Sequence, residues 1–130
     1  MQALYDQISR RFPEIRGRME DDAKLPYVLM HHLADWLGER SRQEFNQGLI
    51  NRVVAFARWC EEQPRTEDAA TDLATIVVVG LYEELFRYDN TRFLLPKLIS
   101  KKQMRDGADY IKAHVGEDDY NKALRYFGKT

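Results

Sequence analysis

The stretch Asp72-Leu-Ala-Thr-Ile-Val-Val-Val-Gly-Leu-Tyr-Glu-Glu-Leu-Phe86 is the most apolar part of the chain and ends near two adjacent carboxylates, Glu83 and Glu84. Its β-branched run Ile76-Val-Val-Val79 would suit a buried strand, but a short apolar run is decided by its flanks. Upstream, Thr66-Glu-Asp-Ala-Ala-Thr has the hydroxyl and acidic residues of a helix N-terminus. Downstream, no breaker precedes Asp89-Asn90, and no neighbouring segment offers a strand partner. One long helix over about residues 67–88 is therefore expected. At α-helical spacing Leu73, Val77, Gly80, Leu81 and Glu84 share a face, while Val78, Val79 and Leu85 spread apolar surface elsewhere, as in a helix buried among others. Glu84 is thus expected to point inward and Glu83 to a flank. Gly80 costs about 1 kcal/mol relative to Ala inside a helix, which points to a close helix crossing.

The remaining segments read as further helices. Leu4, Ile8 and Phe12 recur at i, i+4 and stop at Pro13, and Ile15 to Met19 adds a turn. Pro26 suits the first turn of a helix running to Glu39, with Leu29, Met30, Leu33, Trp36 and Leu37 on its inner side. Ser41-Arg-Gln-Glu44 has capping-box spacing ahead of a stripe of Phe45, Leu49, Val53, Phe56 and Cys60. Tyr88-Asp-Asn-Thr reads as a turn and Arg92 to Ile99 as a short link. Ser100 caps a helix through His114 with Gly116 just beyond, and Asp118 or Asp119 opens a last helix. The expectation is one all-α domain over 1–130, a compact bundle of about six to seven helices centred on the third and fourth.

At 130 residues the chain can bury a core without disulfides, and its single cysteine, Cys60, fits a reducing compartment. The first residues lack a signal-peptide pattern and the central apolar run is too short to span a bilayer, so a cytoplasmic chain is expected. A net charge of −1 gives no global field toward nucleic acid or anionic membrane.

Few residues suggest chemistry. In His31-His32-x-x-Asp35 the i, i+3 and i, i+4 spacings put ligand types on one helix face, and Glu83 or Glu84 would complete a metal site. The plainer reading is a polar helix edge, because no Glu-x-x-His motif of the di-iron bundles accompanies it. A helical metalloprotein or enzyme using His31, His32, Asp35 and Glu84 is the alternative function. Glu84, desolvated, would have the raised pKa of a general acid, unless an arginine, lysine or tyrosine hydroxyl satisfies it. Phosphate-binding glycine loops, nucleophile elbows and zinc spacings are absent from the sequence, so it reads against an enzyme and calls for no cofactor.

The charges are more suggestive. Glu67, Asp68, Asp72, Glu83, Glu84 and Asp89 make the central helix acidic at both ends, and Arg92, Lys97, Lys101, Lys102, Arg105 and Lys112 follow. Adjacent helices can simply complement each other, but such patches also steer partners. Candidate partner-binding residues are Glu83, Glu84, Asp89, Lys101 and Lys102, with Tyr27, Tyr82, Tyr88, Tyr110 and Tyr120 as anchors where exposed. Without a recognised motif the basic cluster does not argue for nucleic acid. The sequence leaves monomer and homodimer open.

The order of Leu25-Pro-Tyr-Val-Leu-Met-His-His-Leu-Ala-Asp-Trp-Leu, Leu81-Tyr-Glu-Glu-Leu-Phe and Phe93-Leu-Leu-Pro-Lys-Leu-Ile-Ser resembles a family of small bacterial all-helical proteins without an assigned function. In size and simplicity that family resembles the immunity proteins of toxin systems. The resemblance implies a bacterial, non-enzymatic protein-binding module, immunity-like in kind, with Glu83 at the acidic position of the middle motif and no catalytic residues.

Overall fold

The computed structural model describes residues 2–41 and 47–128. Among these residues the protein is all-α, with nine helices and no strand. They are α1 (Gln2–Arg11), α2 (Arg16–Met19), α3 (Pro26–Ser41), α4 (Gln47–Glu62), α5, α6 (Leu95–Leu98), α7 (Lys101–Asp106), α8 (Ala108–Val115) and α9 (Glu117–Leu124). Helix α5 is continuous through three pieces: an α-turn Leu73–Ile76, a π-helical stretch Val77–Tyr82 and a second α-turn Glu83–Phe86. Short 3-10 turns at Pro13–Ile15, Glu20–Asp22 and Arg92–Leu94 connect the rest.

The i, i+4 patterns translate directly into burial. Leu4, Ile8 and Phe12 are inaccessible, as are Leu29, Met30, Leu33 and Leu37 of α3 and Val53, Phe56 and Cys60 of α4. The Phe12 ring meets Trp36 and Phe56 edge-on, each at 5.9 Å between centroids, an arrangement that favours aromatic pairs beyond their burial. The capping box and Phe45 expected ahead of α4 fall on residues 42–46, outside those described. The capping box at Ser100 is present, with the Ser100 hydroxyl accepting from the Gln103 N–H and the Gln103 amide oxygen accepting from the Ser100 N–H. The expected single helix from Ser100 to His114 is instead divided at Gly107 into α7 and α8. Gly116, at φ 94°, takes the turn into α9 that an L-residue rarely adopts.

Helix α5 is shorter than the 67–88 expected. It starts after Asp72, whose backbone is extended, because the acidic residues upstream fold into a turn held by Thr66 and Thr71 rather than a first helical turn. It ends at Phe86, where Thr91 and Arg92 fold back: the Thr91 hydroxyl donates to the Leu85 carbonyl at 2.9 Å and Arg92 Nε donates to the Phe86 carbonyl at 2.7 Å. Those bonds satisfy carbonyls that the helix end leaves without partners. The main packing partner of α5 is α3, not the α4 that the expected centre implied. A Cβ on Gly80 would lie 2.8 Å from Met30 Cβ, so this glycine is what lets α3 cross the π-helical stretch closely. No helix among the described residues is long and apolar enough to cross a membrane.

Candidate functional site

The π-helical stretch changes how the two carboxylates are placed. Its i→i+5 bonding, seen in the Glu83 N–H donating to the Val78 carbonyl, inserts one residue relative to an α register. Leu85 consequently takes the inward position that α spacing gave to Glu84, and it is fully buried. Glu84 lies on the α3 side, its side chain 17% exposed, with His31 at 3.6 Å and Arg87 at 3.9 Å. Glu83 turns toward α8 and is only 9% exposed. Glu84 thus stays largely buried, against α3, and the departure from expectation is Glu83, which is buried toward α8 rather than set at a flank. The sequence did carry one signal for this, since four successive β-branched residues, Ile76 to Val79, crowd an α-helix.

Glu83 lies on the wall of a cleft of about 210 Å³. Val78, Tyr82, Glu83 and Phe86 of α5 form one side, and Ile99, Gln103, Gly107, Tyr110 and Ile111 face them. Gly107, between α7 and α8, is thus part of this wall. At the mouth stand Val78, 36% exposed, and Tyr110, 49% exposed. The Tyr110 hydroxyl donates to Glu83 Oε2 across 3.5 Å, the long limit of a hydrogen bond, and the Tyr110 ring rests against His114 at 4.0 Å between centroids. Burial raises the Glu83 pKa above the ordinary carboxylate range, against weaker opposing pulls from His114, the Tyr110 hydroxyl and Arg87. The Tyr82 hydroxyl donates to Glu61 Oε1 of α4 at 2.5 Å, and burial followed by that bond raises the phenol's pKa.

The significance of Glu83 comes from comparison with the other buried charges. Among the described residues these are Asp72, Glu83 and Arg92. Asp72 is held by Arg65 at 2.8 Å and by the Thr75 hydroxyl at 2.6 Å, which lower its pKa to about 2. Arg92 is engaged by Asp119 at 2.8 Å, by Asp89 and by the Phe86 carbonyl. No described cation lies within 4.0 Å of the Glu83 carboxylate. A buried charge without an opposite charge is costly, and one opening on an apolar cleft is a binding-site feature.

The other residues singled out from sequence do not converge on this cleft. His32 Nε2 contacts Asp22 Oδ2 at 2.7 Å, whereas His31 faces Glu84, and the exposed Asp35 lies beside a separate groove. Among the described residues no three His, Cys, Asp or Glu side chains are grouped to hold a metal. Asp89 is bound up with Arg92, Lys102 pairs with Asp106 one helical turn on, and Lys101 reaches the Gly128 carbonyl. Of the tyrosines, Tyr120 is buried with its hydroxyl on the Met104 carbonyl, and Tyr27 bonds the Ala69 carbonyl. The Cys60 thiol is fully buried and its pKa is pushed up to about 12, as expected for an unreactive core cysteine. Tyr110, Gly107 and Ile111 are the site residues that sequence reasoning did not assemble. Comparison of the chain with protein-family models, with characterised proteins and with solved structures finds no match.

Proposed function

We propose that this protein is a non-enzymatic protein-binding module and that the α5–α8 cleft, with Val78 and Tyr110 at its mouth and Glu83 inside, is its contact site. The observation that carries this reading is the apolar cleft containing a desolvated carboxylate that, among the described residues, has no ion-pair partner within 4.0 Å. A cleft of about 210 Å³ is smaller than the ~300–1,000 Å³ of most small-molecule sites, but it can receive a side chain. Exposed tyrosine beside a small pocket is the composition of interface anchor points. The nucleophile–base pairing that covalent catalysis would need is not part of this arrangement. In its specific form the role is that of an immunity-like inhibitor acting in a bacterial cytoplasm, in keeping with the resemblance carried by Leu81 to Phe86.

The test is capture of a partner by the tagged protein, with Val78→Asp placing a charge at the cleft mouth and Lys102→Glu as a surface control. Binding of one stoichiometric partner that Val78→Asp abolishes and Lys102→Glu preserves is the expected result. A partner indifferent to Val78→Asp, or stoichiometric metal on protein purified without chelators, would overturn the reading.

A further inference from the structure

The cleft's chemistry specifies what it accepts. We infer that it takes a lysine or arginine side chain of the partner, with the apolar stem between Val78, Phe86 and Ile111 and the cationic head on Glu83. This rests on the reading of the α5–α8 face as a protein-binding site and names the group that enters it.

Three observations converge on a basic side chain. First, the walls are apolar while Glu83 brings a carboxylate to the cleft, a division that matches the methylene stem and charged head of lysine or arginine. Second, Arg87, the basic side chain nearest in sequence, is directed to Glu84 at 3.9 Å, and His114 and Arg87 act on Glu83 only from beyond 4.0 Å, more weakly than its burial does. The carboxylate therefore has room for an opposite charge in direct contact. Third, the Tyr110 ring stands half-exposed at the mouth, where an entering cation would pass an aromatic face. An acidic side chain would meet Glu83 as a like charge, and a purely apolar one would cover the carboxylate without pairing it.

The inference is tested on the full chain, labelled with ¹⁵N, by titrating blocked peptides Ac-Ala-Leu-Xaa-Leu-Ala-NH2 in which Xaa is lysine, arginine or norleucine. Both basic peptides should shift the amides of Val78, Gly107 and Ile111 and bind about tenfold or more tightly than the norleucine peptide, as a charge-assisted contact predicts. Glu83→Gln, which keeps the side chain's shape and removes the desolvated charge, should abolish that preference. Equal binding of the norleucine and basic peptides to the native protein would overturn the inference while leaving an apolar docking site in place. Failure of every peptide to shift these amides would also overturn it, and partner capture with Val78→Asp would then decide the protein-binding reading separately. A preference for basic peptides that survives Glu83→Gln would locate recognition elsewhere and overturn the inference as well.

Discussion

Arg92 and Glu83 are both buried charges, one just beyond the end of α5 and one within it, and the protein surrounds them in opposite ways. Arg92 is 3% exposed and has a partner for each nitrogen group: Nε on the Phe86 carbonyl, one terminal nitrogen on Asp89 and the other on Asp119. Glu83 has a single tyrosine hydroxyl at the limit of contact and faces a cleft. Asp72, before the start of α5, belongs with Arg92, since Arg65, Thr75 and the Thr66 N–H all donate to it. The two fully partnered charges flank α5, Asp72 tied to Arg65 and the Thr75 hydroxyl at its start and Arg92 to the Phe86 carbonyl at its end. The poorly partnered one sits where the π-helical stretch delivers α5 to α8. The difference separates charges that hold the fold from a charge left available for something else.

The sharpest way to break this comparison is to remove Arg92. Arg92→Ala strips the Phe86 carbonyl of its donor, and a buried acceptor left unsatisfied costs about 1–3 kcal/mol, whereas Asp89 and Asp119, 89% and 30% exposed, lose their cation but keep access to water. Urea denaturation should show a loss of that size. Arg92→Lys should recover only part of it, because an ammonium cannot present the fork that spans Asp89, Asp119 and the carbonyl. A loss below about 1 kcal/mol would mean that Arg92 is no more integral to the fold than an ordinary surface residue.

The acid response of Asp72 comes next. Its pKa falls from an ordinary 3.8 to about 2, chiefly through the Arg65 hydrogen bond and then the Thr75 hydroxyl. A depressed carboxylate contributes stability that is fully present above the unfolded value and is lost as pH falls through the folded one. The melting temperature of Asp72→Asn should therefore lie several degrees below that of the native protein at pH 6, with the gap closing between pH 3.8 and about 2. Because the Arg65 side chain is largely exposed, added salt should also narrow the gap at pH 6. A gap that is constant from pH 6 to pH 2 would assign the effect to shape rather than charge.

Which parts of this were legible in the sequence follows from which rules are local. Leu4, Ile8 and Phe12, the α3 stripe and the Ser100 cap depend on spacing within one helix, and the structure reproduces them. Gly80 announced a close crossing because nothing else explains a glycine in an apolar helix, and Met30 is what it meets. The side of α5 that carries its carboxylates was not legible, because α spacing was carried through a stretch that bonds one residue further along. The burial of Arg92 was equally hidden: in sequence it heads a basic cluster, and only the return of residues 88–92 onto the end of α5 distinguishes it from Lys97 or Lys101. The break at Gly107, on the cleft wall, was hidden because the sequence from Ser100 to His114 reads as one helix. The π-helical register is a departure within one helix, whereas the burial of Arg92 and the cleft concern where segments meet, which periodicity within either one does not specify.

The smallest expected effect sharpens the comparison most, because its sign is opposite to that of the other two. Burial raises the Glu83 pKa, against His114, the Tyr110 hydroxyl and Arg87, with Glu84 adding a like charge on the same helix. The folded state then binds a proton more tightly than the unfolded one, so stability declines as pH rises from the ordinary carboxylate value through the folded value. Glu83→Gln removes the titrating charge and should raise the melting temperature at pH 7 by no more than a few degrees, with the gain disappearing at pH 4. A buried charge whose removal stabilises the fold is retained for some other reason, and natural proteins carry such costs at functional sites. If Glu83→Gln instead lowered the melting temperature at pH 7, Glu83 would join Asp72 and Arg92 as a structural charge, and the cleft would lose the feature that marks it as a site.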